Sequence, residues 1–186
     1  LSETEINSRL ILTTTTNEST KMDRGVLFEW KTDNTTLNAT QRGFLDAGSL
    51  GSDRLNFLRG NRTLEGDTTT KPFRIRESRQ GDIVNSQVWY VAQPVSNYSY
   101  KGYADFAKEH KNRLPMLYVG GNDGMLHGFS AVDGQEKLAY VPKGVMKNLP
   151  ELAKPAYQHI YFVDGSPFSG DINKGSDASP NWRSLL

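Results

Sequence analysis

Residues 114–142 read LPMLYVGGNDGMLHGFSAVDGQEKLAYVP, and this stretch decides the fold predicted from the sequence. Residues 116–120, 125–131 and 137–141 are short runs rich in apolar and β-forming side chains, and the second run alternates between two faces. Glycines interrupt the stretch too often for a helix. The pattern therefore predicts three antiparallel strands.

Turn-forming residues separate the three runs. Asn122, Asp123 and Gly124 follow the first run, and Asp133 and Gly134 follow the second. Asn, Asp and Gly tolerate the positive φ angles that a two-residue hairpin turn requires. We therefore predict a two-residue hairpin turn centred on Asp123 and Gly124, and a second turn at Asp133 and Gly134.

Three strands joined by short turns make up most of one β-propeller blade. The stretch resembles the quinoprotein-type repeat, in which a polar-Asp-Gly turn precedes a strand with an Asp-Ala pair and a later aromatic residue. Ser130 stands where that repeat usually carries Asp, and Tyr140 lies near its usual Trp. The resemblance implies a structural unit only, because the quinone site of such proteins needs a complete ring.

Three sequence motifs resemble those of one family, both in their residues and in their order along the chain. They are YVGGNDGMLHGF at 118–129, LRG at 58–60 followed by Arg74, Arg76 and GDIVNS at 81–86, and YFVDGSP at 161–167. Together they resemble the PilC/PilY family of type IV pili, whose members are large, exported, tip-associated adhesins with a C-terminal propeller. Asn61 departs from the Asp that follows LRG in the family.

The predicted fold class is mainly all-β: a partial β-propeller of quinoprotein-like blades, with a few short helices in inserted loops. Residues 1–54 are predicted to be lead-in strands and polar loops, and residues 55–186 the N-terminal part of a propeller domain truncated at its C-terminal end. Further strands are predicted at 9–14, 25–31, 88–92, 158–165 and 182–186. Helices are predicted at 52–60 with Ser52 as the cap, at 100–112, and as short turns broken at Pro150 within 144–154.

Bulk composition excludes several classes of protein. The 186 residues include 22 basic and 21 acidic side chains, so there is no electrostatic case for nucleic acid as a partner. Cysteine is absent, which excludes disulfides and thiolate metal sites. No apolar run approaches the roughly 20 residues that a membrane span needs. The hydrophobic share of 36% suits a β-rich surface protein with long polar loops, or part of a larger protein.

No catalytic site is predicted. His110, His127 and His159 lack metal-binding spacing, and no GxSxG motif occurs, so structural roles are expected for the histidines. Asp171, Asn173 and Asp177 resemble the start of a calcium loop, with a polar hairpin loop as the alternative. No other cofactor is expected here, although the family resemblance implies that calcium can bind elsewhere in the propeller of the parent protein.

Two groups of residues are candidates for binding. Tyr98, Tyr100 and Tyr103 form a possible contact surface, because tyrosine is favoured at interfaces; the alternative is packing of a helix onto the blade. The turn at Asn122, Asp123 and Gly124 could line a binding rim, or could serve only the turn geometry.

The resemblance implies a non-enzymatic module of a type IV pilus biogenesis factor and tip adhesin. It implies export to the cell surface, pilus tip or outer membrane of a Gram-negative bacterium. Expected partners are minor pilins or pilus machinery, a host-cell or surface receptor, and the rest of the parent chain. Two alternatives remain open: part of a quinoprotein-type dehydrogenase propeller, and a structural scaffold propeller of outer-membrane assembly.

Overall fold

The computed structural model describes residues 3–17, 19–33 and 35–186, and within these ranges it contains eight strands. The strands are β1 Ile11–Thr16, β2 Asp23–Leu27, β3 Trp89–Val91, β4 Met116–Gly121, β5 Met125–Ser130, β6 Glu136–Val141, β7 Gly170–Asn173 and β8 Trp182–Leu185. The helices are α1 Glu3–Ser8, α2 Ala39–Leu45, α3 Gly51–Leu58 and α4 Tyr103–Glu109, with 3₁₀ segments at Ala47–Ser49 and Lys143–Ala153.

Six strands form one sheet in the order β2-β1-β6-β5-β4-β3. The four strands β3 to β6 are antiparallel neighbours in chain order, which is the arrangement of a propeller blade. The predicted strands at 116–120, 125–131 and 137–141 are confirmed within one or two residues. The six-stranded sheet does not close on itself, as expected for part of a propeller. The predicted fold class, mainly β with a partial propeller, is confirmed.

The hairpin β1–β2 extends the sheet beyond β6. β1 runs parallel to β6, with Ile11 opposite Ala139 and Thr13 opposite Val141. The Thr13 hydroxyl also donates to the Val141 carbonyl at 2.7 Å. The strands β1 and β2 therefore belong to the same sheet as the blade. β1 and β2 lie near the predicted strands 9–14 and 25–31, but each is displaced by two or more residues.

The main core lies between one face of this sheet and a layer made of α2, α3 and the 3₁₀ helix Lys143–Ala153. Alternate residues of β1 point into it, as the two-residue period of a strand requires. Full burial of an aliphatic or aromatic side chain contributes roughly 1.5–3 kcal/mol. The central members of this core are Ile11, Phe28, Leu37, Leu45, Leu55, Phe57, Met125, Val141, Met146 and Leu149.

The helix boundaries differ from the sequence prediction at their caps. Ser52 is not the N-cap of α3, which begins at Gly51, whose amide donates to the Asp46 carboxylate at 3.0 Å. Gly60 follows the helix with φ of +114°, as predicted for the residue after the C-cap. Pro150 does not break the 3₁₀ helix, which runs continuously through it.

Residues 158–165 do not form the predicted strand. Hydrogen bonds between side chains and backbone amides connect this segment to other parts of the chain, in place of pairing with a neighbouring strand. The Asn122 carboxamide oxygen accepts from the Phe162 amide at 3.0 Å, and the Asp164 carboxylate accepts from the Asn85 amide at 3.1 Å. The apolar run at 160–163 therefore lies across the end of the sheet without joining it.

The turn between β4 and β5 has three residues rather than two, because Gly121 pairs with Met125. Gly124 alone of the three has a positive φ, +89°, which is typical of a three-residue hairpin with glycine in the left-handed position. The next turn has Gly134 at φ of +69°. The buried Ser130 hydroxyl accepts from the amides of Val132 and Asp133 there, as an Asp at this position would.

A second sheet contains only β7 and β8 among the described residues. The strand predicted at 182–186 is confirmed as β8, but its partner β7 was not predicted. Trp182 of β8 packs with Tyr103 and Phe106 of α4 in a second, smaller core. The helix α4 is shorter at both ends than the predicted span 100–112.

Gly124→Val is expected to destabilise the protein strongly. A Cβ at Gly124 would lie 2.5 Å from Leu149 Cδ2 in the core, and the left-handed backbone alone costs about 1–2 kcal/mol for a residue with a side chain. Together with overpacking, the loss in unfolding free energy should be about 3 kcal/mol or more. Urea denaturation followed by tryptophan fluorescence measures it.

Gly134→Val is the matched control for this substitution. Its φ of +69° is also left-handed, but no atom lies within 4 Å of the added Cβ. The unfolding free energy of Gly134→Val should therefore fall only by the cost of the left-handed backbone, about 1–2 kcal/mol. Equal losses in the two variants would show that the contact with Leu149 does not constrain the turn.

Candidate functional site

Four aromatic side chains form a cluster between α4 and the second sheet: Tyr98, Tyr100, Tyr103 and Trp182, called here the aromatic cluster. The rings of Tyr98 and Tyr100 stack on Trp182, with centroids 5.7 and 6.3 Å away. Tyr103 meets the indole edge-on at 5.0 Å. The three tyrosines singled out from the sequence are therefore brought together around a tryptophan that the sequence reasoning treated only as part of a strand.

Local backbone geometry positions this cluster. Gly102 precedes α4 with φ of +77° and lies against Pro180, where a Cβ would approach Pro180 Cγ to 2.7 Å. The Trp182 indole N–H donates to the Lys101 carbonyl at 3.0 Å. The glycine thus allows the segment carrying the tyrosines to approach the strand carrying the tryptophan.

Asp171 of β7 fixes the cluster from its buried side. Its carboxylate accepts from the Tyr103 hydroxyl at 2.7 Å, the Ser184 hydroxyl at 2.6 Å and the Ser96 hydroxyl at 3.2 Å. Burial is the main reason that the pKa of Tyr103 is raised, and its hydrogen bond to Asp171 acts in the same direction. Tyr103 therefore stays neutral and acts as a structural residue.

The two remaining tyrosines form the exposed part of the cluster. Tyr103 is only 3% exposed, whereas Tyr100 is 69% and Tyr98 39% exposed. Tyr98 and Tyr100 both stack on Trp182 and still remain partly exposed to solvent. A rigid, amphipathic aromatic surface of this kind suits contact with another molecule.

Two of the three candidate calcium ligands form hydrogen bonds within the protein. Asp171 holds the aromatic cluster, and the Asn173 side-chain oxygen accepts from the amides of Gly175 and Asn181 at 2.9 and 2.8 Å. Asp177 lies exposed in the same loop. Within residues 3–17, 19–33 and 35–186, no group of three or more acidic, His or Cys residues could hold a metal ion.

The turn residues Asn122 and Asp123 connect three segments of the chain. Asn122 is 2% exposed. Its side-chain nitrogen donates to the Asp82 carboxylate at 3.1 Å, and its side-chain oxygen accepts from the backbone amide of Phe162. The Asp123 carboxylate accepts from the Gly81 amide at 3.0 Å. This turn and residues 74–82 together line a cavity of about 440 Å³.

Beneath this turn lies a buried charge network that sequence reasoning missed. His127 Nδ1 lies 2.7 Å from Glu136 and its Nε2 lies 3.0 Å from Asp123. Arg9 contacts both oxygens of Glu136, at 2.6 and 2.8 Å. The spacing of Asp123 four residues before His127 was visible in the sequence, but only the strand pairing brings Glu136 and Arg9 to the same point.

The network shifts the pKa values of its members in opposite directions. Burial by itself lowers the pKa of His127, but its hydrogen bonds to Asp123 and Glu136 outweigh burial and raise that pKa to about 9. Burial raises the pKa of Glu136, yet His127 and Arg9 together lower it to about 2. At neutral pH His127 is therefore a cation donating from both ring nitrogens.

The comparisons with known proteins agree on one family. The family model described as the PilY1 beta-propeller domain matches residues 80–184, which is more than half of the chain. A Type IV pilus biogenesis factor PilY1 homolog of Xylella fastidiosa is 43% identical over 145 residues, 74% of this chain and 12% of that protein.

The Type IV pilus biogenesis factor PilY1 of Pseudomonas aeruginosa strain PAK is 42% identical over 152 residues, 75% of this chain. The chain spans about 12% of the length of these relatives. No solved structure matches the chain. In the described part of the chain, no helix is both long and apolar enough to cross a membrane.

Replacing His127 by Gln is expected to destabilise the protein in a pH-dependent manner. The pKa of about 9 in the folded protein exceeds the ordinary histidine pKa of 6.5, so the histidine charge stabilises the fold fully below about pH 6.5, and this contribution is lost as pH rises through 9. His127→Gln should lower the unfolding free energy by about 2–3 kcal/mol at pH 6, because the partly buried Asp123 and Glu136 carboxylates lose the cation between them and only Glu136 keeps another, Arg9. Urea denaturation at pH 6, 8 and 9.5 tests this.

The difference between the variant and the unmodified protein should narrow as the pH rises from 7 to 9.5. His110→Gln serves as the control, because His110 packs edge-on against Phe106 at the end of α4. A pH-independent difference for His127→Gln would contradict a charged His127.

Proposed function

Because the chain belongs to the PilY1 family, we propose that it is a non-enzymatic binding module of a type IV pilus biogenesis factor. Its exposed aromatic surface at Tyr98 and Tyr100 engages another molecule. The proposal rests on family membership together with one structural observation. The rings of two tyrosines stack on Trp182, and these tyrosines yet remain 39% and 69% exposed.

Preorganisation supports this role of the aromatic cluster. A side chain already fixed in place loses little conformational entropy on binding, so more of its contact energy appears as affinity. Tyr103 is anchored by Asp171, and Trp182 by the Lys101 carbonyl. The exposed rings therefore sit on a support that does not need to reorganise when a partner arrives.

The partner that this surface engages at the pilus is a minor pilin, another part of the pilus machinery, or a receptor on a host cell or other surface. The relatives named above are pilus biogenesis factors by their names, and this supports placement at the cell surface or pilus tip of a Gram-negative bacterium. Adhesion and support of pilus assembly are the two activities that such a surface would serve.

The alternative of a quinoprotein-type dehydrogenase receives less support. The matched family model is that of the PilY1 propeller, and the side chains near the blade turns are engaged in structural hydrogen bonds. A purely structural scaffold of outer-membrane assembly would not require exposed, stacked tyrosines.

The double substitution Tyr98→Ala and Tyr100→Ala in the full-length protein is expected to reduce adhesion about tenfold or more while leaving its export unchanged. Exposed aromatic residues at the centre of an interface commonly contribute 2 kcal/mol or more on truncation. Bacteria producing only this variant would be compared with the unmodified strain for attachment to host cells and for sheared surface pilin.

Tyr161→Ala is the matched control, since Tyr161 is 59% exposed and lies outside the aromatic cluster. A fall in surface pilin with export intact would assign the surface to a pilus partner instead of a receptor. Normal attachment together with normal surface pilin would refute the proposed contact surface.

A further inference from the structure

A second surface, distant in sequence from the aromatic cluster, combines an apolar floor with a basic rim. A groove of about 420 Å³ lies between α2 and the first turns of the 3₁₀ helix Lys143–Ala153. Phe44 of α2 is 41% exposed there, and Met146 lies beneath the surface at 1% exposure. We call it the basic groove.

Lysine side chains surround this floor. Lys21, Lys143 and Lys147 line the basic groove, and among the described residues that line it there is no Asp or Glu. Since the whole chain carries 22 basic and 21 acidic residues, the gathering of three lysines among the described lining residues is a feature of this groove and not of the surface in general. Asp23, at its margin, pairs with Lys143 at 3.0 Å.

The other two lysines have no such role in the fold. In the part of the chain that the structure describes, Lys21 and Lys147 are exposed and form no ion pair. The polar residues at the start of α2 are already satisfied, because Asn38 and Gln41 form a capping box and Gln41 donates to the Thr14 carbonyl at 3.0 Å. Two cations therefore remain available above an apolar floor.

We propose that the basic groove binds an acidic peptide segment of a partner protein, with one apolar side chain of that segment seated on Phe44. Charge complementarity selects the acidic residues, and the exposed Phe44 surface selects the apolar anchor. An inorganic anion or a nucleic-acid backbone would use the lysines but would leave the apolar floor uncovered. This proposal is independent of the aromatic cluster.

Gly144 offers a way to block the groove without straining the fold. It lies in the lining, its φ is outside the left-handed region, and no atom lies within 4 Å of an added Cβ. Gly144→Trp should therefore place an indole in the groove mouth. Lys21→Glu with Lys147→Glu reverses the free charges, and Lys174→Glu makes the same kind of change on the exposed β7–β8 hairpin.

The probe is a fluorescein-labelled eight-residue peptide of Asp and Glu with one central Phe, titrated by the 186-residue chain at about 50 mM salt and followed by anisotropy. Replacing the central Phe of the peptide by Ser should weaken binding about tenfold or more, because the anchor loses its apolar contact. The double lysine variant should also weaken binding about tenfold, and 0.5 M salt should act in the same direction.

Gly144→Trp should abolish saturable binding, and Lys174→Glu should change it less than twofold.

Several results would overturn the proposal. Equal binding of the Phe and Ser peptides would reduce the groove to a charged patch without an apolar subsite. Binding that is unchanged in Gly144→Trp would place the peptide elsewhere. If the chain binds vesicles of phosphatidylglycerol and phosphatidylcholine more strongly than the peptide, and this binding depends on the lysines, the groove contacts a membrane surface instead. If the peptide titration does not saturate by 1 mM chain, the groove is not a binding site for such a peptide.

Discussion

Buried arginines hold the irregular segments of this protein against its sheet. The guanidinium of Arg59, only 6% exposed, donates to the backbone carbonyls of Phe28, Arg9 and Asn7 at 3.0, 3.0 and 3.3 Å. Burial lowers its pKa, but a guanidinium remains charged throughout the accessible pH range. One side chain thus satisfies carbonyls at both ends of the N-terminal hairpin that would otherwise lose their hydrogen bonds to water.

Arg76 does the same for the long loop between α3 and β3. It pairs with Glu65 at 2.7 Å, donates to the carbonyls of Phe57 and Asn61, and lies over the Phe57 ring at 3.6 Å. A chain with little regular structure between residues 59 and 88 has few ladder hydrogen bonds of its own. Planar, multidentate arginines replace them, and this explains how a chain of low apolar content can still order long loops.

The parts of the fold that were predictable from sequence are those governed by local pattern. The meander β4–β6 could be predicted from strand periodicity and from Gly124 and Gly134. Both glycines adopt the positive φ angles that their residue type suggests for a turn. The tyrosines of the aromatic cluster were likewise visible as a group. Gly60 after α3 is another local signal that the structure bears out.

The rest depends on contacts between distant residues. Residues 158–165 have a strand-like composition, yet Asn122 takes the hydrogen bond that a neighbouring strand would have supplied. The contact of His127 with Glu136, and that of Glu136 with Arg9, could not be predicted, because they form only through the pairing of β5 with β6 and of β6 with β1. Side-chain hydrogen bonds of this kind cannot be predicted from sequence periodicity, because a single polar residue in a distant loop can form them.

The parallel pairing of β1 with β6 has a consequence for the order in which the molecule can fold. Thr13 and Val141 are 128 positions apart, so β1 leaves the ribosome long before its partner exists. Closing so large a loop carries an entropic cost that must be met before the contact contributes anything, and such long-range pairs slow folding. Until β6 is made, the threonine-rich strand can pair only with β2, as an isolated hairpin of marginal stability. The blade meander, whose contacts are local, can form first and then present β6 as the template on which the N-terminal hairpin docks.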